Sequence, residues 1–162
     1  MINRLTYSVT TLLLIAITYC LFAACTNWTV PESLIGKWEG KDKVTVRTKV
    51  NGEFVFIKAQ DSIPFVINIQ SDGTVKGNLG GAEFKNCKVS KNRGELGKKL
   101  NLATDFVIKG DLTGKIFEND PEVIKKISMP FDNKNGNLKG SLFQMFGLDL
   151  YPVADVNLYK KN

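Results

Sequence analysis

The residues able to do chemistry are few, and their types exclude more than they suggest. The chain has 162 residues, 22 lysines and arginines, 16 carboxylates and no histidine. Without histidine there is no Ser-His-Asp or Cys-His nucleophile, no histidine proton shuttle and no ordinary catalytic zinc site. A carboxylate pair survives that filter in principle, drawn from Asp61, Asp72, Asp105, Asp111, Glu118 and Asp120. Most of these stand beside Gly, Asn or Pro, where turn and capping roles account for them. A small hydrolase is therefore the weakest reading, and the chain is expected to be non-enzymatic, with no cofactor and no metal site.

The three cysteines are Cys20, Cys25 and Cys87. Cys25 directly follows Ala23-Ala24 at the end of an apolar run over Val9–Tyr19, with Arg4 ahead of it. That run is too short for a stable membrane span. The segment resembles a bacterial lipoprotein signal, although Phe22 stands where leucine is usual. The resemblance implies that residues 1–24 are removed and that the Cys25 thiol carries lipid at a new amino terminus. One chain anchors marginally, at about 0.8 kcal/mol per buried methylene, so two or three would hold the protein on a membrane. The expected location is the bacterial cell envelope, membrane-anchored, and rather periplasm-facing at the outer membrane than on the cell surface, since no acidic cluster follows Thr26.

Removing 24 residues leaves 138, enough for one sizeable core and not for two. The removed segment carries Arg4 and no acid, so the net charge of +6 falls to +5. With Cys25 acylated, Cys87 has no thiol partner, and the alternating stretch around it reads as a small buried strand residue rather than a reactive thiol. Residues 25–35 are read as a short tether and residues 36–162 as a single domain.

From Val44 onward the apolar period is two, as strands require. Asn51-Gly52 between two alternating runs predicts a type I′ hairpin. Further strands are expected at 65–70, 74–79, 83–89, 100–103, 106–109, 126–131, 138–146 and 153–159, with turns at Ser71-Asp72-Gly73, Asn92-Arg93-Gly94, Asn133–Asn137 and Gly147. A turn is also expected at Asp61-Ser62-Ile63, before Pro64. Asp120-Pro121-Glu122 predicts one short helix near 120–127, with Val123, Ile124 and Ile127 along one side. The fold class is thus all-β, an antiparallel up-and-down β-barrel with one short helix.

Gly36-Lys37-Trp38, ahead of the first alternating run, resembles the G-x-W signature of the lipocalin and calycin barrels. Thr104-Asp105-Phe106 is similar to that family's T-D-Y segment, with phenylalanine for tyrosine. The resemblance implies a lipocalin-like barrel closed at one end by Gly36 and Trp38. The family's late arginine over the tryptophan has no counterpart, and the chain ends in a strand pattern rather than a long helix. As a whole the chain is similar to small lipocalin-like lipoproteins of Bacteroides-type bacteria.

Phenylalanines are numerous, and Phe54, Phe56, Phe84 and Phe106 are candidates to line a cavity for a small apolar or amphipathic ligand; a solidly filled barrel is the alternative. Lys85, Lys88, Lys91, Arg93, Lys98 and Lys99 are opposed over that stretch by Glu95 alone and could meet an acidic partner, or simply lie on a wet strand face. Nothing suggests nucleic acid. Asp61-Ser62-Ile63 resembles the O-glycosylation pattern of Bacteroides-type secreted proteins, which marks Ser62. The leading expectation is a non-enzymatic envelope lipoprotein binding a small ligand in its barrel. The alternatives are an inhibitor or protein-partner module of lysozyme- or protease-inhibitor type and a structural envelope protein.

Overall fold

A computed structural model describes residues 28–50, 53–92, 104–118, 123–147 and 149–161. Eight strands, β1 (Gly36–Val50), β2 (Glu53–Ile69), β3 (Thr74–Leu79), β4 (Ala82–Lys91), β5 (Phe106–Gly114), β6 (Val123–Lys134), β7 (Asn137–Phe146) and β8 (Asp149–Lys160), follow one another around a closed antiparallel barrel. Each strand pairs with the next, and β8 returns to β1. This is the up-and-down order that the period-two pattern implies. Closure leaves no free edge.

Local sequence explains the connections. Asn135 and Gly136 both take positive φ between the paired Lys134 and Asn137, the geometry of a tight primed hairpin. Asp72 accepts the Thr74 N–H and hydroxyl at 2.8 Å each, which fixes the β2–β3 turn. Val50 pairs with Glu53 across Asn51-Gly52, which lie outside the described residues, as does the strand expected at 100–103.

Two expectations require correction. Residues 123–127 are the start of β6, in ladder with Gly114 through Gly110, and no helix occurs among the described residues. Val123, Ile124 and Ile127 are β-branched, and the β5 ladder gives them a pairing partner that two isolated helical turns would lack. The turn expected at Asp61-Ser62-Ile63 is instead a bulge inside the long β2. Between the pairs Asp42/Ile63 and Val44/Gln60 the register slips, and Ser62 sits there at φ 60°, exposed.

The connections 70–73 and 135–136, with the approach to β1, gather at one end of the barrel. There Val30 and Leu34 fold over the interior and Trp38 is fully buried. Trp38 Nε1 donates to the Leu34 carbonyl at 2.9 Å, and Lys160 Nζ lies 5.5 Å from its ring centroid while reaching the Ser33 carbonyl at 3.4 Å. A lysine thus stands over the tryptophan face. Gly36 has φ 125°, and a Cβ there would meet Lys160 Cε at 3.3 Å, so this closing contact favours glycine. Phe106, 5.7 Å from Phe131, belongs to the same end.

Trp38→Ala removes the closing side chain and leaves the Leu34 carbonyl without its donor. It should destabilise the fold by roughly 3 to 5 kcal/mol. A denaturant titration showing a change below about 1 kcal/mol would contradict this role for the closed end.

Candidate functional site

Strand alternation decides which side chains face the interior. On β6 the core residues Ile127, Met129 and Phe131 share a face with Lys125, whose backbone pairs with the core residue Leu112. Lys125 is only 4 % exposed, whereas its neighbour Lys126 points out to an ion pair with Asp111 at 2.9 Å. On β7, Gln144 pairs with Ile127 and is also 4 % exposed. On β8, Tyr151 pairs with Gln144 and meets Phe146 edge-on at 5.8 Å. An ammonium, an amide and a phenol therefore share the inward face of three consecutive strands, in the half of the barrel away from Trp38.

The same half contains Phe84, 5 % exposed and stacked on Phe65 at 5.6 Å. Of the four phenylalanines expected to line a ligand space, Phe84 thus faces the interior of this half, while Phe106 packs at the closed end. The side chains of Phe54 and Phe56 lie outside the described residues, on the long β1–β2 hairpin. The sequence reading did not include Lys125 or Gln144. Their signal was period two: each falls on the apolar phase of its strand.

The Thr104-Asp105-Phe106 segment is a clasp at the closed end. The Asp105 N–H donates to Asp132 Oδ1 at 2.8 Å, Asn92 Nδ2 donates to Thr104 Oγ1 at 2.8 Å, and Lys134 pairs with Asp132 at 3.0 Å. These contacts tie β4, β5 and β6 together. Cys87 is buried and its thiol faces the carbonyls of Lys85 at 3.3 Å and Asp111 at 3.5 Å. Burial pushes the thiol up to about 11, so the thiolate needed for reaction is scarce at neutral pH.

The basic residues divide. Lys85, Lys88 and Lys91 are exposed on β4, while Arg93, Lys98 and Lys99 lie outside the described residues. Lys85 and Lys88 line an open cleft of about 1030 Å³ between β3 and β4, together with Lys76, which the sequence reading missed because it lies outside the run 85–99. Among the described residues no group of three or more Cys, Asp or Glu could hold a metal ion.

Asp42 is a further buried polar group on the inward side. It is 8 % exposed and stands on the inward phase of β1 with Trp38, Val44 and Val46. The β1–β8 seam is paired at Trp38/Lys160, Glu39/Tyr159 and Val44/Ala154, and between them the Asp42 carboxylate takes the Asn157 N–H. Oδ2 has no partner. No protein-family model, curated protein or solved structure matches the chain, so this geometry carries the functional argument alone.

Burial pushes the Asp42 carboxyl up to about 6 from 3.8; Asp155 adds to the rise and the Asn157 N–H opposes it. The folded state therefore binds this proton more tightly than the unfolded chain. Its stabilising effect is present below about pH 4 and is lost as pH rises through 6. Asp42→Asn keeps an acceptor for Asn157 and removes the charge. It should raise stability by about 1 to 3 kcal/mol at pH 8 and far less at pH 4. Denaturant titrations at both pH values test this, and an equal effect at the two would show that ionisation is not the cause.

Proposed function

We propose that this chain is a non-enzymatic bacterial envelope lipoprotein, anchored through acylated Cys25, whose barrel binds a small amphipathic molecule with an anionic head. The observation that carries the ligand reading is Lys125 with Gln144 on the inward face of an otherwise apolar wall. A carboxylate or phosphate entering from the half opposite Trp38 would meet the Lys125 ammonium in a charge-assisted hydrogen bond, with the Gln144 amide on the neighbouring strand beside it. The apolar tail would lie against the phenylalanine face that includes Phe84. The absence of histidine and the inert Cys87 support a binding role over catalysis.

A fatty acid is the simplest probe of that chemistry. Micromolar binding, about −8 kcal/mol, is expected for a long-chain acid. Lys125→Met should weaken it at least tenfold while leaving the affinity for the matching long-chain alcohol unchanged. Fluorescence displacement or calorimetry on the folded variant distinguishes the cases. Equal loss for acid and alcohol, or no binding of either by the wild type, would overturn the reading.

The anchor is tested separately. Cys25→Ser should abolish incorporation of labelled palmitate and move the protein from the membrane to the soluble fraction. Wild-type protein that takes up no label yet stays on membranes would refute lipidation.

A further inference from the structure

The β3–β4 ladder is interrupted. Val75 pairs with Cys87 and Asn78 with Glu83, but no ladder pair spans Lys76-Gly77 on one strand and Phe84–Asn86 on the other. The cause is one extra residue in β4. Asn86 adopts φ 53°, and the register slips against β5 as well, between Lys85 and Lys88. Each strand stays anchored on its far side: Lys76 pairs with Asn68, Gly77 with Ile67, Phe84 with Leu112 and Lys85 with Asp111. At Gly77, φ is 151° and a Cβ would collide with the Val66 carbonyl, so β3 lies hard against β2 where it parts from β4. The result is a cleft with fixed walls, paired at both ends by Thr74/Lys88 and Asn78/Glu83.

Its lining sets cations and hydrogen-bonding groups around an apolar floor of Val75, Phe84 and Cys87. Lys76, Lys85 and Lys88 carry three positive charges, with Thr74, Asn78 and Asn86 as neutral hydrogen-bonding groups and Glu83 as the acid. Glu83 reaches Lys85 only at 3.9 Å. Asp111, across from Lys85, is occupied by Lys126 and the Asn86 side chain, which hold its carboxyl below its ordinary value. Lys109 pairs with Lys88 on the other flank and extends the positive field.

We propose that this β3–β4 cleft binds an acidic saccharide, a sugar chain bearing carboxylate groups. The lysines would meet the carboxylates, and the amides, the Thr74 hydroxyl and the backbone groups bared by the broken ladder would meet sugar hydroxyls. A flat membrane surface does not enter a cleft set between two strands. An acidic peptide adding as a strand would have only Lys76-Gly77 on β3 to pair with between the flanking pairs Val75/Cys87 and Asn78/Glu83, too short a stretch for strand addition. The site shares Phe84 with the interior reading but none of its polar groups.

Oligogalacturonate is the probe, titrated calorimetrically against the folded domain at low salt, with neutral dextran and poly-glutamate of matched charge alongside. Lys76→Gln, Lys85→Gln and Lys88→Gln together should weaken oligogalacturonate binding at least tenfold without moving the thermal melt. The charge-matched control Lys41→Gln, Lys115→Gln and Lys139→Gln, exposed elsewhere, should stay within twofold of wild type. Lys125→Met should bind the saccharide as wild type does, which separates failure here from failure of the interior site. Equal loss in both triple variants would mean general charge attraction and would overturn the proposal. So would poly-glutamate binding as tightly as the saccharide, or no wild-type binding at low salt.

Discussion

Closure of β8 onto β1 is the constraint on which the remaining geometry depends. Seven of the eight strand contacts join neighbours in sequence, but the last must bring Lys160 back to Trp38 across the whole domain. Pairing along this seam is sparse, so side chains and the segment before β1 supply much of the fastening. Leu34 receives the indole N–H, Lys160 covers the ring, and Lys161 and Lys37 converge on Glu39 at 3.2 and 3.3 Å. The ion pairs are exposed and contribute little each, whereas the buried tryptophan anchors the seam at its closed end. Farther along, a carboxylate whose burial opposes its ionisation stands where more ladder could have been. The seam is therefore strong at one end and sensitive to charge in the middle.

Irregularity in the ladders shapes the rest. Extra residues enter at Ser62 in β2, Asn86 in β4 and Val153 in β8. Each changes which face the following side chains occupy, because the strand period is two. In β8 the slip lets Pro152, which has no N–H to donate, sit within a strand, and it leaves both Val153 and Ala154 buried. In β4 it moves Cys87 inward while Lys85 and Asn86 are both exposed, and the strand parts from β3. A regular barrel would have neither the cleft nor the inward thiol.

Much of the architecture was legible because the physics is local. Period two marked the strands, and the turn expected over Asn133–Asn137 contains the hairpin at 135–136. The misreadings came where a non-local partner decides. Asp120-Pro121-Glu122 is a good helix start on its own, but the ladder to β5 holds 123–127 extended. Asp61-Ser62-Ile63 has turn composition, and the same freedom to adopt positive φ serves a bulge equally well. The functional residues were harder still. Lysines adjacent in a strand take opposite faces, as Lys125 and Lys126 do, so proximity along the chain is a poor guide to a charged site. Lys76 joins Lys85 and Lys88 through pairing geometry, and Lys125 is distinguished from Lys126 only by which face of β6 it takes.

That difference of face sets the electrostatics of the two candidate sites apart. Lys125 is almost fully buried, where screening by salt is weak, so an interaction with a charged head there would be short-ranged and sensitive to the fit of the tail. The cleft lysines stand in water, where screening acts over about 8 Å at physiological ionic strength. Contacts there would be individually weak and would gain strength by number, which suits a repeating polymer better than a single small molecule. One barrel can thus present a dry site for one buried head group and a wet site for a chain of charges. Phe84 is common to both, lining the cleft floor while packing on Phe65 in the core, whereas the lysines of the two sites lie on opposite faces of the sheet.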